Sequence, residues 1–209
     1  MLGAKNLNSF RKSSNQLTKY VTWFCLTIGL GQAVMGIPSF FTLDPAILRT
    51  GYLGGLLLIY FALIIQGAVA WCLMLRKYVP IYTITLPVAI IGLGSWLYAV
   101  PRTHLSMSHH FITYAVPSLT RLTLGTLLIC LFVSVGIYFL LASSSQTGIE
   151  SRLMSFAFSL LYLGVGMVIG GLELVTGQVI SRSSITADLV LTVVLLGVAA
   201  WPRTTQVKS

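Results

Sequence analysis

Apolar residues fill the chain in long runs that short polar stretches separate. A helix needs about 20 mostly apolar residues to cross the hydrocarbon core of a bilayer. Six runs reach or approach that length, so the pattern predicts an all-α membrane protein that forms a six-transmembrane-helix bundle. The predicted spans are residues 20–37, 52–75, 80–100, 122–142, 153–176 and 185–201.

These spans predict a simple domain organisation. Residues 1–19 form a basic N-terminal tail, residues 20–202 form the transmembrane domain, and residues 203–209 form a short C-terminal tail. The predicted connections alternate between two short segments, 76–79 and 143–152, and three longer segments, 38–51, 101–121 and 177–184. We expect an amphipathic helix in the interface within 101–121, because Leu105, Ile112, Val116 and Leu119 recur at helical spacing.

Glycine recurs at a similar depth in the first, third and fifth spans. The pairs are Gly29 with Gly31, Gly92 with Gly94, and Gly164 with Gly166. One interpretation is three tandem helix hairpins, since internal repeats are common in transport folds. The alternative is that glycine is simply frequent in membrane helices.

Small residues four positions apart also predict close helix packing, because they let helix backbones approach one another in lipid. The predicted packing positions are Gly29, Ala33, Gly51, Gly55, Gly166 and Gly170.

The composition excludes a soluble globular enzyme. Charged residues make up 8% of the chain and hydrophobic residues 56%, whereas a soluble domain carries about 25% charged residues. The three cysteines, Cys25, Cys72 and Cys130, each lie in a different apolar run. Their odd number and spacing argue against a disulfide framework and against a redox or zinc motif.

The net charge of +9 predicts an orientation. Most Lys and Arg residues fall in the two tails and the two short connections, where Glu150 is the only acidic residue. The positive-inside rule therefore places both termini in the cytoplasm, in a plasma or inner membrane. The basic residues lie at helix ends rather than on one face among aromatics. We therefore expect the lipid bilayer, and not a nucleic acid, as the partner of this charge.

Glu173 lies inside the fifth apolar run near its predicted outer end. An ionisable residue in a span usually has a partner or faces water. Arg182 and Asp188 are the nearby candidates, and two readings stay open. Glu173 and Arg182 form an ion pair that anchors the loop, or Glu173 and Asp188 share a proton and bind a cation or relay protons.

Two further groups of polar residues are candidates for function. Gln32 and Gln66 are amides within spans, where each forms an interhelical hydrogen bond or lines a pathway. His104, His109 and His110 lie in the predicted outer segment, where they suit pH sensing, since histidine titrates near pH 6.5. Their spacing matches no strong metal-ligand motif, and we expect neither a metal nor a cofactor.

No nucleophile, nucleotide-binding or metalloprotease motif is present, so an enzyme is not expected. The first functional hypothesis is a small-solute channel, permease or substrate-capturing transporter subunit. Its candidate pathway residues are Glu173, Arg182, Asp188, Gln32 and Gln66. The alternative is a non-catalytic subunit or assembly factor of a larger membrane complex, or a homo-oligomer.

Overall fold

The computed structural model describes residues 16–107, 112–145 and 148–171 of the chain. The helices are α1 Gln16–Gly36, α2 Pro38–Phe41, α3 Pro45–Ala70, α4 Tyr82–Ala99, α5 Ser118–Ser145 and α6 Ile149–Gly164. A π-helical turn, Trp71–Leu75, continues α3, and a second, Val165–Ile169, continues α6.

Within these residues, five helical segments are long and apolar enough to cross a membrane. The prediction of a largely helical chain with membrane-type helices is confirmed to that extent. The predicted sixth span, 185–201, lies outside the described residues. α1 begins at Gln16 and so includes four residues that the sequence assigned to the tail.

α3 is the central helix of the described bundle. It packs against α1, α4 and α5, while α6 packs mainly against α5. Leu48, Leu56, Tyr60, Leu63 and Val69 are almost completely buried along its length. The three segments of the chain that flank α3 therefore share one apolar core, to which α6 is attached from the side.

Close backbone approaches hold α1 against α3. A Cβ atom built on Gly55 would lie 2.5 Å from the carbonyl oxygen of Gly31, and one built on Gly51 would lie 3.0 Å from that of Val34. On α6, a Cβ at Gly166 would lie 2.9 Å from Phe132, and one at Gly170 would lie 2.7 Å from Ile129. Glycine is therefore required for the present separation of these helices.

The structure places the close contact of α1 at Gly31 rather than at Gly29, whose Cβ position meets no described residue within 4 Å. Each of the other two glycine pairs is likewise split into a packed and an open member. Gly92 packs against Tyr60 and Gly94 is open, whereas in α6 Gly164 is open and Gly166 is packed. The three pairs share a spacing in sequence but not the same packing role.

The second membrane helix begins earlier than the sequence predicted. α3 starts at Pro45 instead of at residue 52, because Asp44 caps it by accepting a hydrogen bond of 2.8 Å from the amide of Ala46. Proline at the first helical position is already set for the helix and lacks a donor that would be unpaired there. Because Arg49 and Thr50 are polar, the hydropathy pattern assigned this first part of α3 to the predicted connection 38–51.

The segment after α4 forms a β-hairpin, so the prediction of an amphipathic helix there is wrong. Strands β1 His104–Met107 and β2 Ile112–Ala115 pair antiparallel, with Leu105 opposite Tyr114. Ile112 and Tyr114 are buried while His104 is exposed. This alternation has a period of two, and β-branched and aromatic residues favour strands over helix.

We expect Gly55→Ala to lower the free energy of unfolding of the detergent-purified protein by about 1–3 kcal/mol, and with it the unfolding temperature, because the added methyl group collides with the backbone of α1. Gly29→Ala is the matched control. It adds the same methyl group in open space and removes a glycine from a helix, so it should leave stability unchanged or raise it by up to about 1 kcal/mol. Equal unfolding temperatures for the two variants would contradict the packing.

Candidate functional site

α3 places the side chain of Gln66 deep inside the bundle. The residue lies well within the apolar run of the helix and is 0% exposed. Neither its amide nitrogen Nε2 nor its amide oxygen Oε1 has a hydrogen-bond partner among the described residues. Gln66 is therefore a buried side chain with both hydrogen-bonding functions unused.

Tyr162 of α6 and Cys25 of α1 are the polar neighbours of this site. The phenol of Tyr162 interacts with the Gln66 amide and with the Cys25 thiol. The amide and the phenol are close enough to influence each other, but no pair of their atoms meets hydrogen-bond geometry. One polar group from each of α1, α3 and α6 thus contributes to a site that lies between three helices.

Aromatic rings enclose Tyr162. Its ring centroid lies 5.6 Å from that of Phe132 and 5.9 Å from that of Phe139, both on α5. Phe24 of α1 meets Phe132 edge to face at 5.8 Å, and Phe158 stacks on Phe139 at 5.6 Å. The phenol therefore projects from an apolar collar towards Gln66, where water is scarce and a hydrogen bond is stronger than at a surface.

The sequence of α6 explains why Tyr162 points inward. Ser155, Ser159, Tyr162, Gly166 and Gly170 recur every three or four residues, which places them along one face of a helix. Ser155 and Ser159 are buried, and the two glycines contact α5. The hydroxyl of Ser159 is also buried without a partner in the described part of the chain. The inward face of α6 is consequently small and polar.

A second polar cluster, also centred on α3, is internally satisfied. The Tyr60 hydroxyl and Ser95 Oγ are 3.0 Å apart, and Thr120 Oγ1 donates to the Ser95 carbonyl oxygen at 3.4 Å. Trp96 Nε1 donates to the Leu53 carbonyl oxygen at 2.8 Å. These bonds join α3, α4 and α5, and they explain the polar residues there as structural. Gln66 differs because neither of its polar atoms has a hydrogen-bond partner among the described residues.

Two arginines lie at the end of the bundle that carries the β-hairpin. The guanidinium of Arg49 donates to the Val100 carbonyl oxygen at 2.5 Å, which ties α3 to the end of α4. Nε of Arg49 and Nε of Arg121 are each buried without a partner in the ranges described. Both residues belong to the first turns of their helices, and neither lies beside Gln66.

An apolar groove of 590 Å³ runs along the outside of the bundle between α1, α2 and α3. Ala33 and Gly51, two of the predicted packing positions, form part of its lining, and Thr50 is its polar residue. The hydroxyl of Thr50 already donates to the Ala46 carbonyl oxygen. The groove therefore offers apolar surface and little hydrogen bonding.

The predicted site residues differ in their burial and in where they lie in the fold. Gln66 is fully buried, whereas Gln32 is half-buried on α1 and takes part in an interaction of its own. His104 is exposed on β1, and within residues 16–107, 112–145 and 148–171 no group of three His, Cys, Asp or Glu side chains is placed to hold a metal ion. Glu173, Arg182, Asp188, His109 and His110 lie outside the described residues.

Sequence reasoning missed Tyr162 and did not include Cys25 among the candidate site residues. The polar face of α6 was the available signal, because a membrane helix with serine, serine and tyrosine on one stripe has a polar side. No feature of the sequence indicated that Tyr162 approaches Gln66, since this depends on which helices pack together.

No family model, curated protein or solved structure matches this chain.

The hairpin offers a test of its docking through Tyr114, whose ring stacks on Tyr52 with centroids 4.2 Å apart. Burial raises the pKa of the Tyr114 phenol above its ordinary value of 10.0. The folded chain thus holds this proton more tightly than the unfolded chain does. Its contribution to stability is complete below about pH 10 and declines as the pH rises through the folded pKa.

We expect Tyr114→Phe, which keeps the stack, to remove this alkaline loss. The difference between the tyrosinate absorbance titrations of wild type and variant should show one phenol with a pKa above 10. A difference titration centred at or below 10 would mean that Tyr114 is not buried by the hairpin.

Proposed function

We propose that the protein is a small-solute channel, permease or substrate-capturing transporter subunit whose solute contacts Gln66. The observation that carries the proposal is the fully buried Gln66 amide with no partner for Nε2 or Oε1 among the described residues. A group of this kind is suited to a partner that comes from outside the chain.

The energetics favour that interpretation over a purely structural one. Leaving a buried donor or acceptor unpaired costs about 1–3 kcal/mol for each group. An interhelical hydrogen bond would explain Gln66 as a packing residue, but the Tyr162 phenol beside it does not complete one. A solute with its own donor and acceptor would satisfy the amide, and so would stabilise the occupied state.

The position of the site suits transport. Gln66 and its neighbours Cys25 and Tyr162 each lie well inside an apolar helix, away from the helix ends. Solute sites of many transporters lie near the middle of the bilayer, between helices that move relative to one another. Here α6 packs mainly against α5, and the Tyr162 phenol reaches from α6 towards Gln66 of α3 and Cys25 of α1.

The wider arrangement belongs to the same proposal. The bundle would have six spans with both termini in the cytoplasm, and Glu173, Arg182 and Asp188 would form its outer mouth. The five described membrane-type helices and the distribution of Lys and Arg support this arrangement.

The proposal predicts that Gln66→Leu lowers solute flux through reconstituted liposomes by about tenfold. That factor corresponds to the loss of about 1.4 kcal/mol of hydrogen bonding. Flux is followed by stopped-flow light scattering after osmotic shock, with glycerol, acetamide, glycine and potassium chloride as separate probes. The leucine side chain has a similar volume, so the helices should still pack.

Ser134→Ala is the matched control, because Ser134 bonds only within its own helix, to the carbonyl oxygens of Cys130 and Leu131. It should leave every flux unchanged. Flux above that of empty liposomes that is identical in wild type and Gln66→Leu would remove the proposed role of Gln66.

A second candidate function is a non-catalytic subunit of a larger membrane assembly. The observation that favours it is the open space around glycines on the outside of the described helices. A Cβ on Gly29, Gly94, Gly164 or Gly171 would meet nothing within 4 Å. Glycines on a membrane-facing surface permit a close approach by another helix.

That candidate predicts that the protein leaves its native membrane as a complex larger than one chain when a mild detergent is used. Gly94→Leu should then reduce the measured mass, because the larger side chain blocks an approaching helix. Gly164→Leu tests the corresponding surface of α6. A single-chain mass for the wild type by light scattering would exclude this candidate.

A further inference from the structure

The chemistry around Gln66 restricts the kind of solute that its site accepts. An amide offers one donor group and one acceptor group, and a phenol offers both as well. Neither Gln66 nor the amide-facing phenol of Tyr162 provides a formal charge at neutral pH. The site therefore matches a partner that both donates and accepts hydrogen bonds.

Charged side chains are confined to the ends of the described helices. Asp44 caps α3 and Glu150 lies in the first turn of α6. The basic residues follow the same rule: Lys19 lies near the start of α1, and Arg49 and Arg121 lie in the first turns of α3 and α5. Arg76, Lys77, Arg102 and Arg152 lie in turns or at helix starts.

An ion at Gln66 would consequently lack a counter-charge from the described residues. Moving an isolated charge into such an environment is far more costly than moving a neutral polar group. The rings of Phe132 and Phe139 beside Tyr162 add to this cost, because apolar surface does not replace the water shell of an ion. A neutral solute meets no such penalty.

Resting on the proposed function, we propose that the Gln66 site takes small neutral solutes that carry a hydrogen-bond donor and an acceptor, such as alcohols or carboxamides, and that it rejects ions. Gln66 supplies both hydrogen bonds, and Tyr162 provides a second polar contact. Specificity then arises from the unpaired amide, because a solute that lacks either function leaves a buried polar atom unsatisfied.

Cys25 allows this selectivity to be measured without knowing the natural solute, because its thiol is near enough to influence the Tyr162 phenol electrostatically. The probes are four thiosulfonates with the same reactive group: 2-hydroxyethyl, n-propyl, 2-(trimethylammonium)ethyl and 2-sulfonatoethyl methanethiosulfonate. In each reaction the thiolate attacks the sulfenyl sulfur, a mixed disulfide forms and methanesulfinate leaves. The full chain is reconstituted in liposomes and the modification rate is followed by mass spectrometry.

The chain offers its own control. Cys25 is studied alone in Cys72→Ala/Cys130→Ala, and Cys130, which is exposed on the outside of α5, is studied alone in Cys25→Ala/Cys72→Ala. Cys130 reports reagent that arrives through the lipid. We expect the rate with the hydroxyethyl reagent, divided by the rate with the n-propyl reagent, to be at least about tenfold higher at Cys25 than at Cys130, a quotient in which the intrinsic reactivity of each thiol cancels. The two ionic reagents should modify neither thiol.

Adding Gln66→Leu to the Cys25 protein should lower the hydroxyethyl rate by about tenfold and leave the n-propyl rate unchanged. Two results would overturn the inference while leaving a solute pathway in place. One is an ionic reagent that modifies Cys25 as fast as the hydroxyethyl reagent, and the other is a hydroxyethyl rate that Gln66→Leu does not change. The same relative rates of the four reagents at Cys25 and at Cys130 would overturn the pathway and the inference together.

Discussion

The close approach of α1 to α3 at Gly31 and Gly55 determines how the rest of the bundle is arranged. Lipid gives apolar helices no hydrophobic reason to associate, so close packing and buried polar contacts must hold them together. The carbonyl oxygen of Gly31 lies where the side chain of any larger residue at position 55 would be. This contact fixes the register of the two antiparallel helices and places Cys25 of α1 and Gln66 of α3 on the same side of it.

The same register separates two polar clusters that serve different purposes. Tyr60, Ser95 and Thr120 join three helices and use their hydroxyl groups within the chain. Less than two turns further along α3, on the other side of Leu63, neither polar atom of the Gln66 amide has a hydrogen-bond partner among the described residues. Burying a polar side chain in a membrane helix is unfavourable, and for Gln66 no hydrogen bond within the described structure offsets this. That difference is the reason for placing function at Gln66.

The sequence predicted the membrane-type helices well because hydropathy is a local property that each run carries by itself. It placed the start of the second helix seven residues late, since Arg49 and Thr50 hid the Asp44–Pro45 cap signal. It predicted a helix where the chain forms a hairpin, because four apolar residues satisfied helical spacing while Ile112 and Tyr114 also satisfied a period of two. Gln66 was recognised as polar within a span, but its neighbours depend on non-local packing. The contacts of Tyr162 therefore needed the structure.

The attachment of α6 is compatible with the opening that the proposed solute site would need. α6 packs along α5, and the chain beyond it contacts α5 through Gly166 and Gly170, while the approach of α6 to α3 at the site is the imperfect one of the Tyr162 phenol to the Gln66 amide. A π-helical turn, Val165–Ile169, follows directly after this region, and such turns occur often at functional sites. The strong contacts lie on the α5 side and the unsatisfied contact lies on the α3 side. A small rotation of α6 about its α5 contacts would therefore separate Tyr162 from Gln66 without breaking a hydrogen bond between them. A solute that enters at that point would replace an incomplete contact with a complete one, so the occupied state gains what the empty state lacks.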